Sequence, residues 1–320
     1  MNPVPRDLYV DQLLTNIVLG YSYPLFIADQ IAPLVQVTQD SGIIPAMTQS
    51  PWFRNTAELR APGTPSRGHG FGTDLTATYT CRRYSFRHEI DDDTRRNAGG
   101  SPFDLDSLSA KFVTAKLQLK REVNWASSFF KTGVWTDKTG GTTFARWDDY
   151  GASQPTVDIE GYKVEVEGKV GLDANTLVIG RESFAKLKYN PDLVDMIKYT
   201  QRGQLSAELV ASLLEIPKML IGRAIYTTSP DGTAESSVTY TRVWGKNALL
   251  MYVSASPSIM EPSAAYTFWV AREGAPANAP QYIKRMRNEE SEIDIIEANS
   301  YFDQKATMTR SGIFLSGVTV

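Results

Sequence analysis

Between Ser101 and Gly133 the chain reads SPFDLDSLSAKFVTAKLQLKREVNWASSFFKTG, and this stretch decides the fold. Apolar residues fall at Leu105, Leu108, Phe112, Ala115, Leu119, Val123, Ala126 and Phe130, in the alternating steps of three and four that one face of a helix requires. Ser101 can cap the free amides, Pro102 suits the first turn, and Asp104 and Asp106 complement the positive end. Lys131 and Gly133 mark the exit. The spacing predicts a helix over 101–132 with that face buried. At a rise of about 1.5 Å per residue it is a rod of roughly 45 Å, as long as a domain is wide. Flanking segments must therefore be arranged along it, as along a spine.

Toward the N-terminus, Asp91, Asp92 and Asp93 open a polar turn into the spine. Residues 51–90 read as a long hairpin whose tip, Ala61 to Gly72, is rich in Gly and Pro. In its second leg small or apolar residues sit at Leu75, Ala77, Tyr79 and Cys81. The parity then changes to Tyr84, Phe86, His88 and Ile90, which implies a bulge at Arg82-Arg83. Residues 1–50 are apolar but cut by Pro and Gly into pieces too short to form a domain. Ordering them costs more chain entropy than their own side chains return, so they read as an arm covered by neighbouring subunits or by the body of the chain.

Beyond the spine, 158–170 alternates charge with Val and Tyr and is ambiguous between helix and strand. From Thr176 the pattern becomes compact α/β. A buried strand to Ile179 is followed by helices over 181–189, 191–199 and 205–215 and a strand over 219–227. Residues 238–244 and 248–253 read as a hairpin. Further strands lie at 266–270, 293–296, 306–308 and 313–315. The fold class is α+β.

With 42% hydrophobic and 22% charged residues in 320, the chain can bury a substantial core. A net charge of -3 supplies no global basic field for gripping nucleic acid. One cysteine, Cys81, excludes an intrachain disulfide framework and fits a reducing compartment. No apolar run has the length of a membrane span, and no signal peptide opens the chain.

Catalytic patterns are weak. Ser183 with Lys186, and Ser128 with Lys131, match the Ser-x-x-Lys nucleophile spacing, but the companion Lys-Thr-Gly at Lys131 and Lys138 precedes the first and crowds the second, and no Ser-Asp-Asn is present. His69, Cys81 and His88 are the soft metal ligands, without the paired short spacings of a zinc site. Asp91-Asp92-Asp93 lacks the alternation of a calcium loop. The glycines from Gly68 to Gly72 lead into a strand, where a phosphate loop needs a helix. No catalytic, cofactor or metal residue is assigned. Lys284, Arg285 and Arg287 beside Glu289, Glu290 and Glu292 offer opposite charges that pair within the chain or across a subunit boundary.

An apolar arm, a projecting hairpin, a spine helix and a compact α/β unit describe a part completed by copies of itself. The order of these parts resembles the major capsid proteins of tailed bacteriophages with the Hong Kong 97-like fold. The likeness rests on Leu14-Thr15-Asn16-Ile17 through Phe26-Ile27-Ala28-Asp29, Trp52-Phe53-Arg54 and Leu119-Lys120-Arg121-Glu122-Val123. It continues in Asn175 to Gly180, Asn190-Pro191-Asp192 and Phe302-Asp303-Gln304-Lys305. The resemblance implies an N-arm (1–50), an extended loop (51–90), a peripheral domain (91–169 and 262–308) and an axial domain (170–261 and 309–320). It also implies hexamers and pentamers in an icosahedral virion shell, assembled in a bacterial host's cytoplasm.

The implied partners are a portal protein, double-stranded DNA held by weak non-specific contact and, since the arm begins at Met1, a separate scaffolding protein. A decoration protein is left open, and no membrane partner is expected. Candidate inter-subunit contacts are Phe26, Ile27, Trp52, Phe53, Arg54, Arg60, Arg67, Arg82, Arg83, Arg285, Arg287, Glu289 and Glu290. The alternatives are a bacterial nanocompartment shell, a soluble α/β hydrolytic enzyme built on Ser183 and Lys186, and a sugar- or surface-binding module using the aromatic arm.

Overall fold

The computed structural model of the chain describes residues 9–10, 26–47, 49–68, 70, 72–97, 104–198, 205–272 and 279–320. In chain order the first elements are β1 (Tyr9–Val10), α1 (Ala28–Ile31), β2 (Leu34–Val37), β3 (Ser41–Ile43), β4 (Ala46–Met47) and α2 (Gln49–Trp52). Next come β5 (Thr73–Asp74), β6 (Thr78–Thr80), β7 (Arg82–Asp91), α3 (Asp92–Asn97), α4 (Leu105–Phe129), β8 (Thr136–Thr139) and α5 (Pro155–Val170). They are followed by β9 (Thr176–Gly180), α6 (Arg181–Leu187), α7 (Pro191–Ile197), α8 (Ala207–Leu213), β10 (Lys218–Gly222), β11 (Ile225–Thr227) and β12 (Tyr240–Arg242). The last are β13 (Ala248–Met251), β14 (Ala265–Val270), β15 (Tyr282–Asn288), β16 (Ile293–Ala306) and β17 (Gly312–Ser316).

Two sheets organise these elements. One runs β1-β15-β16-β14-β2, with β7 added to β16; the other runs β10-β9-β13-β17-β8. In the second sheet every residue of β9 is buried, because helices cover one face and the spine the other. Leu177 and Ile179 point into a core with Ile159, Tyr162 and Val166 of α5 and with the residues of α6 to α8. Val178, between them, points the other way, toward Trp125, Phe130 and Trp244. The period of two thus sorts neighbouring side chains into different cores.

The spine is α4. Asp104 caps it, accepting from the Asp106 amide, and Gly133 takes φ +84 just past its end. The expected cap at Ser101 and first turn at Pro102 lie outside the described residues. Its buried face is not the expected one. Ala110, Val113 and Leu117 pack on Ile90, Ile283 and Ile296 of the six-stranded sheet, and the stripe continues through Arg121 to Trp125. Leu108 and Phe112 are 56% and 43% exposed. Only Ala126 and Phe130 of the expected face are buried. The helix carries two stripes on nearly opposite sides. The one that packs was disguised by Ser109, Thr114, Arg121 and Glu122.

Four other expectations need correction. Residues 26–37 are not a loose arm: Ile27, Ala28, Ile31 and Ala32 are buried in the chain's own core, and β2 pairs parallel with β14. The extended loop begins about ten residues early, its legs being β3 on β6 and β4 on β5. The parity change near Arg82 is real but is not a bulge within one ladder. At Cys81 the strand leaves β3 for β16, the partner of β7. Residues 240–242 and 248–251 do not form a hairpin, since β12 pairs with β11 and β13 lies between β9 and β17.

The ambiguous stretch is the helix α5. With β8, which pairs with β17, it belongs to the core of the five-stranded sheet, so residues 136–170 pack with that sheet and not with the six-stranded one to which the expected boundary at 169 assigns them.

Candidate assembly surfaces

The N-terminal segment is fastened to the spine by buried polar groups. Glu122 Oε2 accepts from the Ile27 and Ala28 amides at 3.0 and 2.7 Å, and Oε1 from Trp244 Nε1 at 2.6 Å. The carboxylate thus supplies the missing N-terminal cap of α1 and ties it to the five-stranded sheet. Burial pushes its carboxyl up to about 7, against the pull of these donors. Next to it, the buried Arg121 reaches Asp29 at 3.2 Å, and its carbonyl accepts from Gln304 Nε2 at 3.2 Å. Nothing in the residue types of Arg121 and Glu122 marks them as buried. The available signal was position, since Arg121 falls midway between Leu117 and Trp125 on the stripe that packs.

The candidate contact residues fall into three groups. Ile27 is buried within its own subunit and Phe26 packs beside the same core, so Ile27 offers no face to a neighbour. The extended loop carries Trp52 and Phe53, 61% and 66% exposed, and Arg54, exposed and without an ion pair among the described residues. Arg60 bonds the Thr64 carbonyl and Arg67 pairs with Glu58. Arg82 is exposed, whereas Arg83 is held by Glu297 at 2.7 Å and Asn299 at 2.8 Å.

Arg285 and Arg287 pair within the chain, chiefly with aspartates, and of the adjacent glutamates Glu289 joins them through Arg287. Arg285 contacts Asp294 at 3.0 Å and Asp106 at 3.2 Å. Arg287 takes both oxygens of Asp92 at 2.6 Å and contacts Asp294 at 3.4 Å. Arg95 adds a third contact to Asp294 at 2.8 Å. Burial alone would raise the Asp294 carboxyl, yet these arginines hold it below the usual range. Glu289 and Glu290 stay exposed on the β15–β16 turn, Glu289 only 3.8 Å from Arg287.

The catalytic decoys are dispersed. Ser183 is fully buried, 3.3 Å from the Thr319 hydroxyl. The Cys81 thiol is buried against the Phe268 carbonyl, and burial pushes it up to about 12. His69 lies outside the described residues. The Asp91–Asp93 triplet is divided among the Thr94 amide, Arg287 and Arg96. Among the described residues no helix is long and apolar enough to cross a membrane.

No protein-family model matches the chain. It is 25% identical over 319 residues to the major capsid protein of Burkholderia phage BcepMu, covering 97% of this chain and 96% of that one. The crystal structure of a phage-related protein from Bordetella bronchiseptica superposes with a TM-score of 0.76 at 23% identity, covering 97% and 98% of the two chains. The subunit of the mature capsid of bacteriophage PhiM1 superposes with a TM-score of 0.53 at 12% identity, over 92% of this chain and 88% of that one. The architecture of arm, extended loop, spine and two sheets is the Hong Kong 97-like fold.

Proposed function

We infer from this fold, and from full-length likeness to a phage major capsid protein, that the chain is a capsid protein whose copies build the shell of a tailed phage. The observation that carries the reading is coverage. The likeness runs through arm, extended loop, spine and both sheets together, and such a set of parts is completed by repetition. The extended loop supports the same conclusion. Trp52, Phe53, Leu59 and Leu75 are large apolar side chains more than half exposed on one projecting segment, a display that marks an interaction surface.

In this reading hexamers and pentamers tile an icosahedral shell around double-stranded DNA, with a separate scaffolding protein directing assembly and a portal protein at one vertex. The extended loop and the exposed acids of the β15–β16 turn lie at boundaries between copies. A charge of -3 suits a wall that touches DNA weakly. Electron microscopy of the purified protein, with nuclease-protected nucleic acid assayed in the same particles, tests this. Closed shells are expected. A stable monomer at high concentration would sink it, and shells filled with an enzyme would favour a nanocompartment.

A further inference from the structure

The helix α5 repeats itself. Val157-Asp158-Ile159-Glu160-Gly161-Tyr162-Lys163 is followed by Val164-Glu165-Val166-Glu167-Gly168-Lys169-Val170. One stripe, Ile159, Tyr162, Val166 and Val170, is buried against the five-stranded sheet. The stripe on the far side, Val157, Gly161, Val164 and Gly168, faces out, with the two valines 62% and 59% exposed. Neither glycine serves the subunit's own fold. Both have ordinary helical φ, and a Cβ placed on either meets nothing within 4 Å. Each weakens the helix relative to alanine. A smooth apolar track, flanked by Glu160 and Glu167, is thus kept at the expense of helix stability. Glu160 pairs with Lys163 at 2.6 Å, while Glu167 has no ion pair among the described residues.

The extended loop carries the complementary chemistry. Trp52 and Phe53 are exposed rings, and Arg54, next to them, has no ion pair among the described residues. The fit of ring to glycine already occurs once. Phe53 lies on Gly171, which ends α5, so closely that a Cβ there would stand 2.8 Å from the ring. We propose that the outer face of α5 receives the Trp52–Phe53–Arg54 segment of a neighbouring copy's extended loop. The rings cover the Val157–Gly168 track and the guanidinium pairs with Glu167. This rests on the shell reading above. It adds the seat, the occupant and the reason for the two glycines.

The test uses full-length chains. Wild type, Arg54→Glu, Glu167→Arg, an equimolar mixture of those two variants, and the double variant Gly161→Ala/Gly168→Ala are followed by sedimentation and electron microscopy. Each single charge reversal is expected to reduce shell yield at least tenfold. The mixture should restore it in part, because the two variants can alternate around a ring of six, where every loop then meets a seat of opposite sign, while a ring of five keeps one repulsive contact. The glycine variant should melt several degrees higher as a free subunit and yet assemble poorly. Normal assembly of either charge variant, or of the glycine variant, overturns the proposal. So does a mixture that assembles no better than either charge variant alone. Failure of the wild type to form shells would instead overturn the reading beneath it.

Discussion

Glu122 concentrates the chemistry that holds the subunit together, and its protonation has a direction. The unfolded carboxyl titrates near 4.5 and the folded one near 7, so between these values the folded chain keeps a proton that the unfolded chain has lost. The group's contribution is fully present below pH 4.5 and is lost as pH rises through 7, an effect of about 3 kcal/mol. Denaturant titrations across this window should show stability falling for the wild type. The slope should flatten for Glu122→Gln, at a cost of about 1–3 kcal/mol at pH 5 because an amide N–H then faces an N–H donor. An unchanged slope would contradict the assignment. Beside it, Trp244 is wedged between Trp125 and Phe130, ring centroids 5.5 and 5.0 Å away. A Cβ on Gly222 would stand 2.2 Å from its ring. Gly222→Ala should therefore cost at least about 1–3 kcal/mol, and an unaltered melting temperature would show that the indole can retreat.

Among the elements, α4 offers the sharpest contrast, because its two stripes make opposite predictions. Leu117→Ala, on the stripe that packs, should lose about 2–5 kcal/mol. Leu108→Ser, on the stripe the periodicity favours, should stay within about 0.5 kcal/mol in the isolated subunit. Equal losses in thermal unfolding would mean the stripes are not distinct. The extent of the spine, the α/β run from Thr176 and the strand change near Arg82 were legible, since helix period, buried runs and parity are local. The packed stripe was not, because Arg121 and Glu122 read as solvent residues and only Asp29, Ile27 and Trp244, distant in sequence, make them core. Residues 26–37 were misread for the same reason: their cover comes from residues 122 and 268, which no local pattern links to them. A chain lacking residues 1–45 should accordingly fail to fold, with near-ultraviolet circular dichroism showing lost aromatic packing. A cooperative native-like transition would restore the picture of a detachable arm.

At the scale of the whole molecule, the distribution of lysine constrains how copies can be joined. The first lysine of the chain is Lys111, within the spine, so the segment from Pro51 to Ile90 carries arginines and the histidines His69 and His88 but no lysine. A guanidinium stays protonated and cannot attack an amide. No weld that needs a lysine amine as its nucleophile can therefore start from the extended loop. Particles boiled in denaturant should run as single chains of 35.5 kDa, and a reductant-resistant ladder would point to a donor elsewhere. Chain order imposes a further constraint, in time. The strand at the heart of the six-stranded sheet, β16, ends at residue 306 and pairs with β7, β14 and β15, while β17, after it, lies between β13 and β8. Synthesis at about 5–20 residues per second separates the end of α4 from the end of β16 by roughly ten to thirty-five seconds, whereas a helix forms in about a microsecond. The spine thus exists long before the sheet that buries its stripe. The six-stranded sheet cannot close before residue 306 is made, nor the five-stranded one before residue 316, so a product truncated ahead of these strands lacks the body that carries its outward faces.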